Sequence, residues 1–212
     1  MIELQWQMYF VPLFLLWEKK KGTTFHLYLP IKLFLCVRLN KLKMNFDIKE
    51  HLPEDFTPNS RVWIYQSDRI FFMQEALAIE PMLQDFVAQW KSHGTPVKGY
   101  ANLFFGRFII LMADENATGV SGCSTDSSVR LIKEIEKKYN VSLFDRQMLT
   151  FYIKDKVELL PLSQLKYAID NKFITGETLY FDNTILTKEA LENNWITPAK
   201  NTWLASKINS TT

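Results

Sequence analysis

The chain has 212 residues, 47% of them apolar and 23% charged, with 25 basic against 23 acidic side chains and a formal net charge of +2. This balance excludes an intrinsically disordered chain, and 7 Gly with 8 Pro are too few for a collagen or a low-complexity linker. Two cysteines, Cys36 and Cys123, make no disulfide framework, and with neither a Cys-x-x-Cys string nor a paired His cluster no metal and no cofactor is expected.

The charge is unevenly spread. Residues 1–43 hold seven Lys or Arg against two Glu, while residues 44–212 hold 18 basic against 21 acidic side chains. The first 43 residues include ten Leu and four Phe but no Ala, Ser or Asp, an odd composition for a folded segment. Two apolar runs, 8–17 and 25–39, fall short of the roughly 20 apolar residues that cross a bilayer, the second being broken by Pro30, Lys32 and Arg38. Glu3 near the start and the lack of an Ala-x-Ala site argue against an export signal. Translated A/T-rich non-coding DNA has this composition, so residues 1–43 are expected to be a non-native upstream extension or a disordered segment, with Met44 as the start. The alternative, a basic amphipathic anchor, needs an apolar face that Pro12 and Pro30 interrupt.

From Met44 the elements follow in order. Residues 61–66 predict a strand from their β-branched and aromatic content. From about 71 to 91 the apolar period is helical, with Ile79, Leu83, Phe86, Val87 and Trp90 on one face, Pro81 kinking it and His93-Gly94 as its stop. Residues 97–104 and 107–113 read as a hairpin turning at Phe105-Gly106. A second helix starts with Ser124, Thr125 or Asp126 as cap and buries Leu131, Ile132, Ile135 and Tyr139. Residues 147–153 are a further strand.

That β-α-β-β-α-β order predicts an α+β domain over 44–155, a ferredoxin-like sandwich with two helices on one face of an antiparallel sheet. Residues 156–212 read as a small appendage packed on it. It comprises a strand at 156–160, a helix capped by Ser163, a turn at Gly176, an extended 178–181, a helix capped by Thr187, and Trp195 and Trp203 in the tail.

Four strings, Val62-Trp-Ile-Tyr-Gln-Ser67, Arg107-Phe-Ile-Ile-Leu111, Ser121-Gly-Cys-Ser-Thr-Asp-Ser-Ser-Val129 and Phe144-Asp-Arg146, together resemble a family of short uncharacterised Bacteroidetes proteins often labelled "ABC transporter ATPase". The resemblance covers about residues 48 to 204, implies a start close to Met44, and implies no demonstrated activity. ATP hydrolysis of the ABC kind needs a Walker A loop, G-x-x-x-x-G-K-[ST], and neither Gly119 nor Gly122 is followed by Lys. Residues 109–115, ending in Asp114-Glu115, look like a Walker B strand, and residues 120–124 faintly echo the ABC signature, but in reversed order. Separately, Leu162-Ser-Gln-Leu165, residues 176–181 and Trp195-Ile-Thr-Pro198 loosely resemble GYF-like modules, without a Gly-Tyr-Phe string.

The loop at 119–130 is the candidate site. Gly119 and Gly122 permit close backbone approach, Ser121, Ser124, Thr125 and Ser127 supply hydroxyls where helix amides are free, and Arg130 assists or pairs with Asp126, so an anion such as phosphate is the expected ligand. The plainer alternative is that these residues cap the helix and complement its dipole. Cys123 is a candidate nucleophile or thiol sensor because a helix N-terminus lowers a thiol's pKa, with His93 as its candidate base.

Two function classes result. One is a non-catalytic interaction or regulatory domain with a protein partner or a second copy; the other is an anion-binding enzyme or thiol sensor built on residues 119–130. The acidic balance of residues 44–212, without a basic stripe, predicts no nucleic-acid partner. No membrane partner and a cytoplasmic location are likewise expected.

Overall fold

The computed structural model describes residues 45–116 and 119–209. The expectation for residues 1–43 lies outside that range. From Phe46 onward the described residues form one compact unit of mixed helix and sheet.

The strands are β1 (Arg61–Gln66), β2 (Lys91–Ser92), β3 (Thr95–Pro96), β4 (Gly99–Phe104), β5 (Phe108–Ala113), β6 (Met148–Ile153), β7 (Lys156–Pro161), β8 (Leu179–Phe181) and β9 (Ile196–Pro198). The helices are α1 (Met73–Gln89), α2 (Gly122–Tyr139), α3 (Leu165–Asp170), α4 (Lys188–Asn194) and α5 (Ala205–Asn209).

The first sheet is antiparallel in the order β1-β5-β4, so the central strand β5 is buried along its whole length. Strand alternation splits its residues between two faces. Trp63 and Tyr65 turn toward the helices, where Trp63 lies 6.0 Å from the Trp90 ring and Trp90 Nε1 donates to the Ser124 carbonyl at 3.0 Å. A Cβ on Gly99 would stand 2.7 Å from the Trp90 ring, so β4 needs glycine there. Val62, Ile64, Phe104, Phe108, Ile110 and Met112 face the other way, into a core shared with Ile48, Leu52 and Phe56 of the lead-in and with Phe181, Leu191 and Trp195 of the tail.

The second sheet has the order β7-β6-β8-β9. Its far face carries a separate core in which Leu149, Phe151, Tyr180 and Ala199 pack against Leu165, Ala168 and Ile169 of α3 and Leu204.

Of the expected ferredoxin-like sheet, the first three strands share one sheet and the fourth lies in the other. The β-α-β-β-α-β order is present in sequence, but its last strand, β6, pairs with β7 and β8, not with β1. The outer edge of β1 is instead met by the tail, through an Arg61↔Thr187 bridge and the Val62 amide on the Leu186 carbonyl. A tight hairpin at Lys154-Asp155 brings β7 beside one edge of β6 and β8 pairs with the other, so neither edge is left for β1. The β6–β7 hairpin therefore spans the expected boundary at residue 155.

Three punctuation signals also fall differently. His93 and Gly94, both at positive φ, turn the β2–β3 hairpin, while α1 ends at Gln89. Left-handed residues serve helix ends and hairpin turns alike, which is why the two looked the same. The cap of α2 is Ser121, three residues before Ser124. Ser163 sits within a 3-10 turn and caps nothing, whereas Thr187 does cap α4, accepting from the Ala190 amide at 3.2 Å.

Candidate functional site

The predicted loop sits between β5 and α2 and is held from outside by Ser92, whose Oγ donates to the Gly119 carbonyl at 2.8 Å and accepts from the Ser121 amide at 3.2 Å. Ser121 Oγ accepts from the Ser124 amide at 3.4 Å. The following hydroxyls turn back on the helix: Ser124 Oγ and Thr125 Oγ1 donate to the Ser121 carbonyl, Ser127 Oγ to the Ser124 carbonyl and Ser128 Oγ to the Thr125 carbonyl. Such back-bonding occupies the hydroxyl protons that an anion would need. A Cβ on Gly119 or Gly122 would meet open space, so neither glycine is there for close packing.

Asp126 is exposed, and Arg130 Nε donates to its carbonyl at 3.4 Å without forming an ion pair to its carboxylate. Arg130 instead helps line a groove of about 520 Å³ between α1 and α2, floored by Phe86, Trp90 and Leu131, with Asp85 and Glu134 on its rim. Cys123 occupies the second position of α2, and its side chain lies outside the described part of the structure. His93 is exposed on the β2–β3 turn next to Ser92. Geometry thus brings the predicted residues together as a helix cap, while Arg130 looks elsewhere.

Asp114, the Walker B-like acid, is buried and engaged. It accepts from Thr57 Oγ1 at 3.1 Å, the Asn116 amide at 3.2 Å and Lys98 Nζ at 3.3 Å. Burial would raise its carboxyl, but these hydrogen bonds outweigh it and hold the group below its ordinary value. Lys98 also pairs with Asp55 and lies 4.8 Å from the Phe56 ring, so Asp114 staples the lead-in to the first sheet. Among the described residues no group of three or more His, Cys, Asp or Glu is placed to hold a metal, and no helix is long and apolar enough to cross a membrane.

Two features were not visible in the sequence. The first is an apolar strip at the start of α1, where Ile70, Phe72, Met73 and Leu77 are all exposed, Phe72 to 69% and Leu77 to 52%. Arg69 lies 4.9 Å from the Phe72 ring, and the Phe71 amide ties the strip to the β4–β5 turn through the Gly106 carbonyl. Helical periodicity assigned the buried face of α1 through Ile79 and Leu83, but the strip runs across the cap, where that period does not hold.

The second is a polar junction between the two sheets. Gln66 Oε1 accepts from Thr150 Oγ1 at 2.5 Å and Asn183 Nδ2 at 2.7 Å, and its Nε2 donates to the Met148 carbonyl at 3.1 Å. Asn183 Oδ1 in turn accepts from Trp195 Nε1 at 3.1 Å. Beside this network a crevice of about 130 Å³ opens between Ile64, Leu149, Tyr180 and Trp203, with Asp145 and Arg146 at its mouth. No single residue type marks it, because its members come from β1, β6, β8 and the tail.

Compared with known proteins, the chain matches no family model, no curated protein and no solved structure.

Proposed function

We propose that this chain is a non-catalytic interaction domain that binds a partner protein through the apolar strip of Ile70, Phe72, Met73 and Leu77. The carrying observation is that four large apolar side chains stand exposed within eight residues. Contiguous exposed apolar side chains of this kind mark interaction surfaces. Aromatic and Met side chains are enriched in the cores of such surfaces. The strip is also preorganised, since Arg69 clamps Glu75 in the first turn of α1, and a fixed surface loses little entropy on binding.

The seriate back-bonding of Ser124, Thr125, Ser127 and Ser128 favours the capping role of residues 119–130 over an anion site. The β1-β5-β4 order with α1 and α2 on one face supports a ferredoxin-like origin for that half. Kinship with the resembled family is part of the same proposal, its four strings falling on β1, β5, the start of α2 and the crevice mouth. A chain with two cysteines suits the reducing cytoplasm.

A photo-crosslinking residue placed at Phe72 in living cells tests the proposal, with the same residue at the exposed Lys166 of α3 as control. One discrete adduct at position 72, lost in a Leu77→Ser background, is expected; an adduct of two chain masses identifies a second copy. Adducts indistinguishable between positions 72 and 166, or insensitive to Leu77→Ser, overturn it.

A further inference from the structure

The outer edge of β1 is covered at both ends and open in the middle. The Ser67 amide donates to the Arg107 carbonyl, in register with the β1–β5 ladder, so odd-numbered residues of β1 bond to β5 and even-numbered ones point their N–H and C=O outward. At the start of the strand, the Ser60 carbonyl accepts from the Lys188 amide and the Val62 amide donates to the Leu186 carbonyl. Just beyond its end, the Asp68 amide donates to the Ser142 carbonyl. Between them, the outward amides and carbonyls of Ile64 and Gln66 have no hydrogen-bond partner among the described residues. Both residues are buried, Ile64 to 3% exposure and Gln66 to 6%. Buried main-chain groups are almost always paired, so this pair of residues is missing a partner.

Ile64 and Gln66 line the 130 Å³ crevice, whose walls include Leu149, Tyr180 and Trp203. A cavity of about 150 Å³ holds a benzene ring, so the space suits one small amino-acid residue. The ligand chemistry follows from the lining. An outward N–H and C=O on one strand residue match the C=O and N–H of one residue of an extended chain, as in strand addition. The apolar and aromatic walls suit a small aliphatic side chain. At the mouth Asp145 and Arg146 offer both charges, which selects neither a free anion nor a free cation.

We propose that this crevice binds one residue of an extended partner peptide, which pairs with the main chain of Ile64 and seats a small aliphatic side chain against Leu149, Tyr180 and Trp203. The site is separate from the α1 strip, so each can fail without the other.

The test uses the isotope-labelled full chain and amide resonances, with N-acetyl-valine N-methylamide as probe. Saturable shifts at the Ile64 and Gln66 amides, with exchange slowed at Ile64, are expected, while the amides of Trp63 and Tyr65, already bonded to β5, stay put. Thr184→Trp, at the exposed mouth, should weaken the probe by about tenfold or more with the rest of the spectrum preserved. N-acetyl-proline N-methylamide, whose proline residue lacks the N–H that the valine residue would give the Ile64 carbonyl, should not bind. Shifts absent at Ile64 and Gln66, shifts confined to residues 70–77, equal binding of the proline probe, or indifference to Thr184→Trp would each overturn the proposal. The crosslinking result at Phe72 is unaffected by any of these.

Discussion

Arg69 grips Glu75 with both terminal nitrogens, at 2.7 and 2.8 Å, while its Nη2 also donates to the Tyr139 carbonyl at the end of α2. Glu75 Oε2 meanwhile accepts the Phe72 amide at 2.8 Å, so one ion pair fixes the entry to α1 and joins it to α2.

This pair predicts an acid-dependent stability. The Arg69 hydrogen bonds hold the Glu75 carboxyl below its ordinary value against the opposing effect of burial, with the Phe72 amide adding to the pull. Because the folded value is the lower one, the stabilisation is present above the unfolded carboxyl pKa of about 4.3 and is lost as pH falls through the folded value. Glu75→Gln should therefore cost about 1 kcal/mol near neutrality, discounted for the partly exposed Arg69. Thermal melts should show a Tm lower by roughly 2–4 °C, a gap that closes below about pH 4. A gap that persisted in acid would assign the effect to packing.

The cap of α2 gives a sharper comparison. Ser121→Ala removes the side-chain acceptor of the Ser124 amide and should cost about 1 kcal/mol. Thr125→Ala removes only a hydroxyl bonded back to the Ser121 carbonyl, and its cost in a denaturant titration should be smaller. The reverse order would return the cap to the 124–126 position.

The sequence carries those elements whose cause is local. β1 and the β4–β5 hairpin were legible because each is set by local alternation and one turn, and Thr187 was legible because it precedes a single short helix. Between Ser121 and Ser128 five hydroxyl residues compete for one capping position, and only the Ser92 contacts with Gly119 and Ser121 decide it. The second sheet was illegible for a related reason: Phe151 pairs with Tyr180, far along the chain, and no local pattern announces such a partner. The crevice, assembled from those same elements, shared that obscurity.

Phe105 is held against its own backbone preference. It sits at φ 51° in the β4–β5 turn, yet its ring lies 5.8 Å from Trp195 and 5.9 Å from Phe181. A non-glycine residue in this region costs about 1–2 kcal/mol, which the ring contacts must exceed. Phe105→Ala keeps the backbone cost and loses the ring, whereas Phe105→Gly loses both. Both variants should be less stable than the parent by about 2–3 kcal/mol, below the range for a fully buried ring because Phe105 is half-buried. The glycine variant should be the better of the two by about 1 kcal/mol in urea titrations. Equal stabilities would mean that the turn relaxes in the alanine variant.

Tyr100 and Tyr180 should titrate late. Burial pushes both up to about 12, and hydrogen bonds from Asn102 and Trp203 only partly oppose it. With the folded value the higher one, the unfolded chain loses these protons first, so stability falls as pH rises from about 10 toward 12. Tyrosinate absorbance should show a late step that shrinks in Tyr100→Phe, and that variant should lose less stability across the same window. A single tyrosine step near 10 in the native protein would contradict the burial of both rings.

The polar junction predicts an asymmetry between its members. Gln66 Oε1 serves both Thr150 and Asn183, and Nε2 serves the Met148 carbonyl, so Gln66→Leu strands three groups between the sheets. Leaving buried polar groups unpaired costs about 1–3 kcal/mol each where water cannot reach them. Thr150→Val removes one donor and leaves Gln66 still bonded to Asn183, so its cost should be about 1 kcal/mol. Gln66→Leu should cost at least about 3 kcal/mol, and the double variant should cost less than the two added, because Thr150 no longer needs the partner that Gln66→Leu removes. Additive costs in chemical denaturation would show that the two side chains act independently. In that case the hydrogen bond from Thr150 to Gln66 would not be what joins β6 to the end of β1.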